Sequence, residues 1–317
     1  MWWRRDWAET LEVTDLLLAV DDDGRRLPVA VEEVAAAFEA TGDAWGARIV
    51  RRLPRQGSHL DPDAVDRLLV AVHGELSRLT SDLGQPFRLR ALLRPIVAEL
   101  REQGHDGPIR VVDVGCGTGF TIRWLTAKGD LPTGVELVGC DLDPALVAEA
   151  RRLADLDGIA CRFEAADAFA LDDPATILTS AGVIHHFRDD ALRRFFAAHD
   201  PTHVQAFVHF DTTPHAPWLR YLGAWLFHLA RMRLEISRHD GVVSAMRTHG
   251  DAELVAAAAA GAPWADVALL GPAGTGSPFV NVLRPVIGTI PALSAGVRRR
   301  LGSPTELRAA ESLLEGR

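Results

Sequence analysis

From Pro108 onward, short apolar runs alternate with helical patterns, and this alternation constrains the fold more than any other feature of the sequence. The apolar run Ile109 to Val114, for example, precedes a helical pattern from Phe120 to Ala127. Such an alternation predicts a mainly parallel sheet with helices on both faces. The other expected strands are 135–140, 159–163, 175–180, 203–210, 265–270 and 279–286, and the other expected helices include 144–154, 189–198 and 217–232.

The residues before this alternation show only helical periodicity. Val65, Leu69 and Val72 lie at helical spacing after Asp61-Pro62, a dipeptide typical of a helix start. The sequence therefore predicts an α/β fold, a Rossmann-like doubly wound sheet of seven strands with the last antiparallel, preceded by an α-helical N-terminal cap. The expected regions are the cap over 1–107, the sheet over 108–290 and a C-terminal tail over 291–317 with a helix at 306–314.

The sequence VVDVGCGTGF, residues 111–120, combines the end of the first strand with three glycines at alternate positions. Glycines allow a tight turn and let a ligand lie against bare backbone. The helix that follows presents its N-terminal amides to a carboxylate or phosphate. A nicotinamide-binding GxGxxG loop would need a third glycine where the chain has Phe120, so this loop is of another type.

The GxGxG spacing, with an acidic residue two positions before it, resembles motif I of the class I S-adenosylmethionine-dependent methyltransferases over roughly residues 108–290. The resemblance implies that the glycine loop packs against the amino-acid part of the cofactor. It also implies that Asp113 helps to hold the amino group and that Asp141, in VGCDLDP, accepts hydrogen bonds from both ribose hydroxyls. In the same family the adenine ring is bound by residues that match Leu142, Asp167 and Ala168. The complete expected cofactor set is Asp113, Gly115, Cys116, Gly117, Gly119, Asp141, Leu142, Asp167, Ala168 and Ser180.

Four histidines are candidates for a general base, because histidine titrates near neutral pH. Many small-molecule methyltransferases have a run similar to His185-His186-Phe187 after the fourth strand, although one of the two histidines could be structural. The others are His209, near the end of the fifth strand, and His239, in a stretch that resembles the acceptor mouth of some members. The metal-dependent catechol type has an acid-amide pair after strand five, which this chain lacks, so no metal is expected.

The segment from residue 218 to residue 233 has an aromatic stripe that allows two interpretations. The stripe could pack in the core, or it could form one wall of a pocket for a planar or apolar acceptor. On the second interpretation, the residues expected to bind the acceptor are Trp218, Tyr221, Trp225 and Arg238.

The composition restricts the partners more than it identifies them. The formal net charge of -9 disfavours a protein that binds a phosphate backbone. Only one candidate basic stripe exists, formed by Arg48, Arg51, Arg52 and Arg55. Three scattered cysteines and the absence of a long apolar run predict a cytoplasmic protein with no membrane partner. Three N-terminal tryptophans are candidates for a homodimer contact, and they are Trp2, Trp3 and Trp7.

The function expected from the sequence is transfer of a methyl group from S-adenosylmethionine to a small molecule, in specialised metabolism. The product would be S-adenosylhomocysteine. Two alternatives stay open: methylation of RNA or protein, and a protein that binds the cofactor without catalysis.

Overall fold

The structure, a computed structural model, describes residues 10–21, 25–128, 131–171, 173–212, 217–270, 283–301 and 307–309. The backbone groups into two compact units. Unit 1 contains the described residues up to Leu76 and those from Pro217 to Thr248. Unit 2 contains the described residues from Ser77 to Thr212 and from His249 onward.

The elements are numbered in chain order. The helices are α1 (Val31–Ala40), α2 (Ala44–Arg52), α3 (Pro62–Asp82), α4 (Gln85–Glu102), α5 (Phe120–Lys128), α6 (Pro144–Asp157), α7 (Asp189–Ala197), α8 (Pro217–Arg231), α9 (Glu235–Met246), α10 (Asp251–Gly261) and α11 (Pro291–Leu301). The strands are β1 (Ala19–Val20), β2 (Arg26–Leu27), β3 (Arg55–Gln56), β4 (His59–Leu60), β5 (Ile109–Val114), β6 (Val135–Asp141), β7 (Arg162–Ala165), β8 (Ile177–Ala181), β9 (Ala206–Thr212), β10 (Asp266–Leu270), β11 (Leu283–Thr289) and β12 (Leu307–Ala309).

Unit 2 is built on one sheet with the strand order β12-β10-β11-β9-β8-β5-β6-β7. The five strands from β7 to β9 are parallel, and β11 runs antiparallel to β9. The predicted doubly wound sheet of seven strands with an antiparallel last strand is confirmed. An eighth strand, β12, pairs with β10, so the helix expected at 306–314 is wrong over Leu307–Ala309. The remaining residues of that expected helix lie outside the described part of the chain.

The central strands are apolar on both sides because helices cover both faces of the sheet. On one face Val112, Leu178 and Phe207 pack against α7 and α10. On the other face Val111 and Ile177 pack in a second cluster with α4 and α11. The alternation of apolar runs and helical patterns in the sequence results from this arrangement of a sheet between two layers of helices.

The division of the chain into units differs from the expected boundary at residue 107. Helix α4 buries Leu89, Leu93 and Ile96 in the same cluster as Ile109 of the sheet, so it belongs to unit 2. Helices α8 and α9, expected within the sheet region, belong to unit 1. The amphipathic pattern of α4 predicts a buried face but does not say which element covers it.

Unit 1 is mainly helical, with two short hairpins that the sequence does not predict. The hairpins, β1–β2 and β3–β4, have two residues in each strand, too few for a recognisable alternation. Helix α9 packs closely against α8 at Gly241. A Cβ atom added to this glycine would lie only 2.1 Å from the His228 ring of α8. The buried carboxylate of Glu75 in α3 accepts hydrogen bonds from the backbone of Arg233 and Leu234, directly before α9.

Two helical glycines of unit 1 allow a matched test of this packing. A Cβ at Gly46 would lie 2.5 Å from the ring of buried Phe38, whereas Gly74 has no heavy atom within 4 Å of its added Cβ. We expect Gly46→Ala to reduce the free energy of unfolding by about 1–3 kcal/mol through overpacking. Gly74→Ala should increase it by up to about 1 kcal/mol, because alanine is the better helix former. Urea denaturation of both variants measures the difference, and equal effects would contradict the packing described for α1 and α2.

Candidate functional site

The glycine loop joins β5 to α5 at the carboxyl edge of the sheet, where ligands of open α/β sheets bind. Gly115, Gly117 and Gly119 have positive φ angles of 67°, 54° and 70°, which favour glycine. An added Cβ on Gly119 would lie 2.3 Å from the Phe163 ring, and one on Gly115 would lie 2.6 Å from Val183 Cγ2. The glycines therefore let the loop approach both β7 and the turn after β8.

The carboxylate of Asp141 holds this loop. Its Oδ2 accepts the backbone N–H of Gly117 at 2.8 Å, and its Oδ1 accepts the N–H of Asp143 at 3.0 Å. A carboxylate has about four acceptor positions, so capacity for two hydroxyl donors remains. Leu142, the next residue, is 49% exposed and offers an apolar surface beside that carboxylate. This donor and acceptor arrangement fits the ribose and adenine of S-adenosylmethionine.

Asp113 is a buried carboxyl group at the end of β5. Its Oδ1 accepts the hydroxyl of Thr179 at 2.9 Å. Burial raises the pKa of Asp113 to about 6, with the nearby Asp141 charge adding to the effect and the Thr179 hydrogen bond opposing it. The charged form of a buried acid of this kind is stabilised by a neighbouring cation. Thr179 is absent from the expected set, because its role depends on the pairing of β5 with β8.

The remaining expected cofactor residues divide between exposed and buried positions. Asp167 is exposed and accepts the N–H of Phe169 at 2.9 Å, and Ala168 is half-buried in the same turn. Cys116 is half-buried, and its backbone N–H donates to Cys140 O. Ser180 is 1% exposed and its hydroxyl lies 2.8 Å from His209 Nδ1. Its placement among the cofactor residues is corrected, because that side chain is directed into the core.

His185 and Asp211 form a buried pair at the same edge of the sheet. Asp211 Oδ2 accepts the backbone N–H of His185 at 2.7 Å, and Asp211 Oδ1 lies 2.9 Å from His185 Nδ1. Burial alone would raise the pKa of Asp211, but the His185 charge and the hydrogen bonds together lower it. A carboxylate can only accept, so His185 donates to Asp211 through Nδ1. His186, half-buried, lies beside it with ring centroids 4.4 Å apart.

Comparison with known proteins finds matches among methyltransferases. The methyltransferase domain family matches residues 111–200. Demethylmenaquinone methyltransferase of Thermus thermophilus is 36% identical over 84 residues, which are 26% of this chain and 37% of that protein. The chain therefore contains a methyltransferase domain that includes residues 111–200.

The solved structures that resemble this chain include methyltransferases of low sequence identity. Magnesium protoporphyrin IX methyltransferase of Synechocystis, crystallised with S-adenosylhomocysteine, is 15% identical, with a TM-score of 0.42. The alignment covers 82% of this chain and 99% of that one. A methyltransferase of Aquifex aeolicus is 13% identical, with a TM-score of 0.41 over 66% of this chain and 98% of that one.

His209 occupies the core of the methyltransferase domain rather than its site. Its ring lies between the hydroxyl of Ser180 and His199 Nε2, at 2.8 Å from each, and is 0% exposed. Burial, followed by the charge of His199, keeps the pKa of His209 well below its usual value. The expectation that His209 is a base is corrected, because a ring with both nitrogens bonded in the core has no contact with an acceptor.

His239 belongs to unit 1 and is also fully engaged. Its Nε2 lies 2.8 Å from Asp43 Oδ2 and its Nδ1 lies 2.6 Å from Asp240 Oδ1. Burial alone would lower the pKa of His239, but the two carboxylates outweigh it and raise the pKa to about 9. Burial also raises the pKa of Asp240. The charged form of the His239 imidazole is still favoured, because the ring has two acidic partners. A protonated ring with no free nitrogen is not a base, so this expectation is corrected too.

The aromatic stripe of α8 is exposed rather than packed in the core. Leu222, Trp225, Leu226 and Leu229 are 38–52% exposed, whereas His228 on the opposite side is 8% exposed. The interpretation as core is therefore wrong for these four residues. A surface pocket of about 230 Å³ in unit 1 is lined by Trp45, Trp225, Leu229, Arg233, Glu235 and Arg238.

Two expected acceptor residues lie partly outside the described structure. The backbone of Trp218 and Tyr221 is in α8, but their side chains lie outside the described part of the chain. Trp2, Trp3 and Trp7 lie outside it altogether. In the described ranges, no helix is long and apolar enough to cross a membrane.

The charge state of His239 gives the stability of the protein a defined pH dependence. The folded pKa of about 9 lies above the ordinary value of 6.5. The imidazolium therefore stabilises the fold fully below about pH 6.5, and this contribution is lost as the pH rises to about 9. We expect His239→Gln to reduce the free energy of unfolding by roughly 3 kcal/mol at pH 6.5 and by little at pH 9.5.

Urea titrations from pH 6.5 to 9.5 measure this difference. The matched control is His59→Gln in the same unit, an exposed histidine bonded to Ser58, which should have little effect at any pH. A His239→Gln deficit that stays constant across this pH range would contradict the charged assignment.

Proposed function

We propose that the protein methylates a small molecule that bears a hydroxyl group or an acidic carbon, with His185 as the general base. The observation that carries the proposal is the buried His185–Asp211 pair. It lies in the turn after β8, and Val183 of that turn is in contact range of the glycine loop at Gly115. The glycine loop and His185 thus belong to neighbouring segments at the same edge of the sheet.

The chemistry required from the protein is limited. When bound, S-adenosylmethionine supplies an electrophilic methyl group on its sulfonium. His185 Nε2 accepts the acceptor's proton as its oxygen or carbon becomes nucleophilic, and Asp211 stabilises the resulting imidazolium. Most of the acceleration comes from orientation of the two reactants in a site from which water is excluded. We assign the buried carboxyl group of Asp113 to the cofactor's amino group, and this pairing supports the orientation.

The exposed face of α8 supports an apolar or planar acceptor. Trp225 and Leu229 provide the apolar lining of the unit 1 pocket, and Arg233 and Arg238 add positive charge. Such a lining suits an aromatic molecule that carries an acidic group. We therefore keep Trp225 and Arg238 as acceptor-binding residues, with Trp218 and Tyr221 as further members of the same helix. A cytoplasmic location and a homodimer remain part of the proposal.

Methylation of RNA is less well supported. Of the four arginines that could form a basic stripe, Arg51 is paired with Glu32 and Glu39. Arg52 lies 3.7 Å from Glu235. Because their charges are partly neutralised, these arginines give little support to the binding of a nucleic-acid phosphate backbone.

Transfer of labelled methyl groups distinguishes the acceptor classes. The purified enzyme is incubated with tritiated S-adenosylmethionine and an extract of the source cells, which is then separated into organic-soluble, RNA and protein fractions. We expect label in the organic-soluble fraction. Label found only in RNA or protein would show that the proposed class of acceptor is wrong. Binding of S-adenosylmethionine without transfer of label would favour a non-catalytic role.

Replacement of Asp141 tests the ribose contact. We expect Asp141→Ala to weaken the binding of S-adenosylhomocysteine roughly 10- to 100-fold, because hydrogen bonds to a carboxylate contribute about 1.5–3 kcal/mol. Asp143→Ala is the matched control, since Asp143 begins α6 by accepting Ala145 N–H. It should lower stability by about 1 kcal/mol and leave the affinity unchanged.

Calorimetry with S-adenosylhomocysteine and its 2′-deoxy analogue completes this test. The wild type should discriminate between the two ligands, and Asp141→Asn should discriminate less, since an amide offers one acceptor oxygen. Equal discrimination in both proteins would contradict the ribose assignment.

Replacement of His185 tests the base. We expect His185→Ala to lower the transfer rate about 100-fold or more while the affinity for S-adenosylhomocysteine stays within a factor of three. Asp211→Asn should lower the rate as well, because an amide can accept from Nδ1 but no longer stabilises the imidazolium. Full activity of His185→Ala would refute the base, and His186→Ala would then be the next variant to measure.

A further inference from the structure

A second buried histidine, His249, holds the turn that carries His185. This residue lies two positions before the start of α10, and its side chain is 2% exposed. Its Nε2 lies 2.9 Å from Phe187 O and 3.3 Å from Ile184 O, the two carbonyls that flank the His185-His186 pair. One ring therefore contacts the backbone on both sides of the proposed base.

Glu253, one helical turn further along α10, fixes the His249 ring. Its Oε1 lies 2.8 Å from His249 Nδ1, and its Oε2 accepts the N–H of Gly250 at 3.3 Å. The hydrogen bond from His249 lowers the pKa of Glu253. Both nitrogens of the His249 ring therefore face oxygen atoms, a carboxylate on one side and backbone carbonyls on the other.

The start of α10 is connected to the proposed site from a second direction. Arg284 of β11 is paired with Asp251, the first residue of α10. In the sheet, Arg284 lies directly opposite Asp211 of β9, and side chains at such opposite positions share one face. The start of α10 thus contacts β11, the strand next to β9, which carries Asp211. His249, just before α10, contacts the turn that contains His185.

We propose that His249, oriented by Glu253, is a positioning residue that holds the turn 184–187 and with it the ring of the proposed base, His185. This inference rests on the proposed function of His185. Asp211 fixes the ring at Nδ1, while His249 fixes the backbone from which the ring projects. Both constraints are needed, because a shift of about 1 Å in a reacting group can reduce a rate about 100-fold.

The first test compares rates in variants of the full-length enzyme. His249→Ala should reduce the initial rate of methyl transfer into the organic-soluble extract about 10- to 100-fold at saturating S-adenosylmethionine. The affinity for S-adenosylhomocysteine should stay within a factor of three. The conservative variant Glu253→Gln should keep most of the rate, since a glutamine amide donates to Nδ1 and leaves the hydrogen on Nε2 for Phe187 O.

His199→Ala is the matched control for lost stability. His199 is a buried histidine of unit 2 that bonds to His209 in the core. Its replacement should lower the free energy of unfolding to a similar extent while the rate stays within a factor of three. Equal rate losses in His199→Ala and His249→Ala would overturn the positioning role.

The second test reads the geometry of His185 without an acceptor. Long-range ¹H–¹⁵N spectra of the imidazoles, with the signal assigned by its loss in His185→Gln, should show one tautomer in the wild type, with the hydrogen on Nδ1. We expect a mixture of tautomers in His249→Ala. A single unchanged tautomer together with an unchanged rate would overturn the inference.

The two proposals fail in different ways. If His185→Ala is inactive and His249→Ala is as active as the wild type, the base stands and the positioning role falls. If His185→Ala is fully active, the base falls, and the positioning role falls with it.

Discussion

The carboxylate of Asp211 is the interaction on which the proposed chemistry depends. A buried charge of this kind is unfavourable unless hydrogen bonds surround it. Here the donors are the backbone N–H and Nδ1 of His185 together with the N–H of Thr212. Rotation of the ring or displacement of the turn would each leave buried oxygen atoms without a donor. The orientation of the imidazole therefore follows from the cost of an unsatisfied carboxylate.

The same principle organises the rest of the molecule. At the end of β6, Asp141 holds the glycine loop through Gly117 N–H. In unit 1, Asp43 accepts from the first turn of α2, and Asp240 accepts from the backbone at Val13 and Thr14. His239 lies between these two carboxylates and so links three segments that are distant in sequence. In each case an acidic side chain joins backbone N–H groups of a turn or helix start.

Local patterns explain which parts of the fold could be predicted. Strand β5 was predicted at its observed bounds, because Pro108 and Gly115 delimit a run that is apolar on both faces. Strand β7 begins three residues later than predicted. Ile159 donates its N–H to Ala154 at the end of α6, so this apolar residue ends a helix and does not begin the strand.

Tertiary contacts explain what sequence reasoning could not find. The glycine loop and Asp141 have fixed spacing in one family, and a single chain is enough to identify them. His249 is more than sixty residues from His185 along the chain, and no spacing relates the two. In the sequence, His185, His209 and His239 look alike, because each lies near a strand end or a polar turn. Only the packing around each ring distinguishes them.

The two buried histidine clusters of unit 2 differ in a way that favours function at one of them. His199 and His209 contact each other and a serine hydroxyl, and burial lowers the pKa of His199 to about 3, so the pair is uncharged at neutral pH. Such a pair adds little electrostatic cost to the core. The rings of His185 and His249 instead face carboxylates, at the carboxyl edge where ligands of this fold bind. Apolar residues could fill the same space with a smaller desolvation penalty. The placement of these ionisable pairs at this edge supports the proposal that His185 transfers a proton and that His249 positions it.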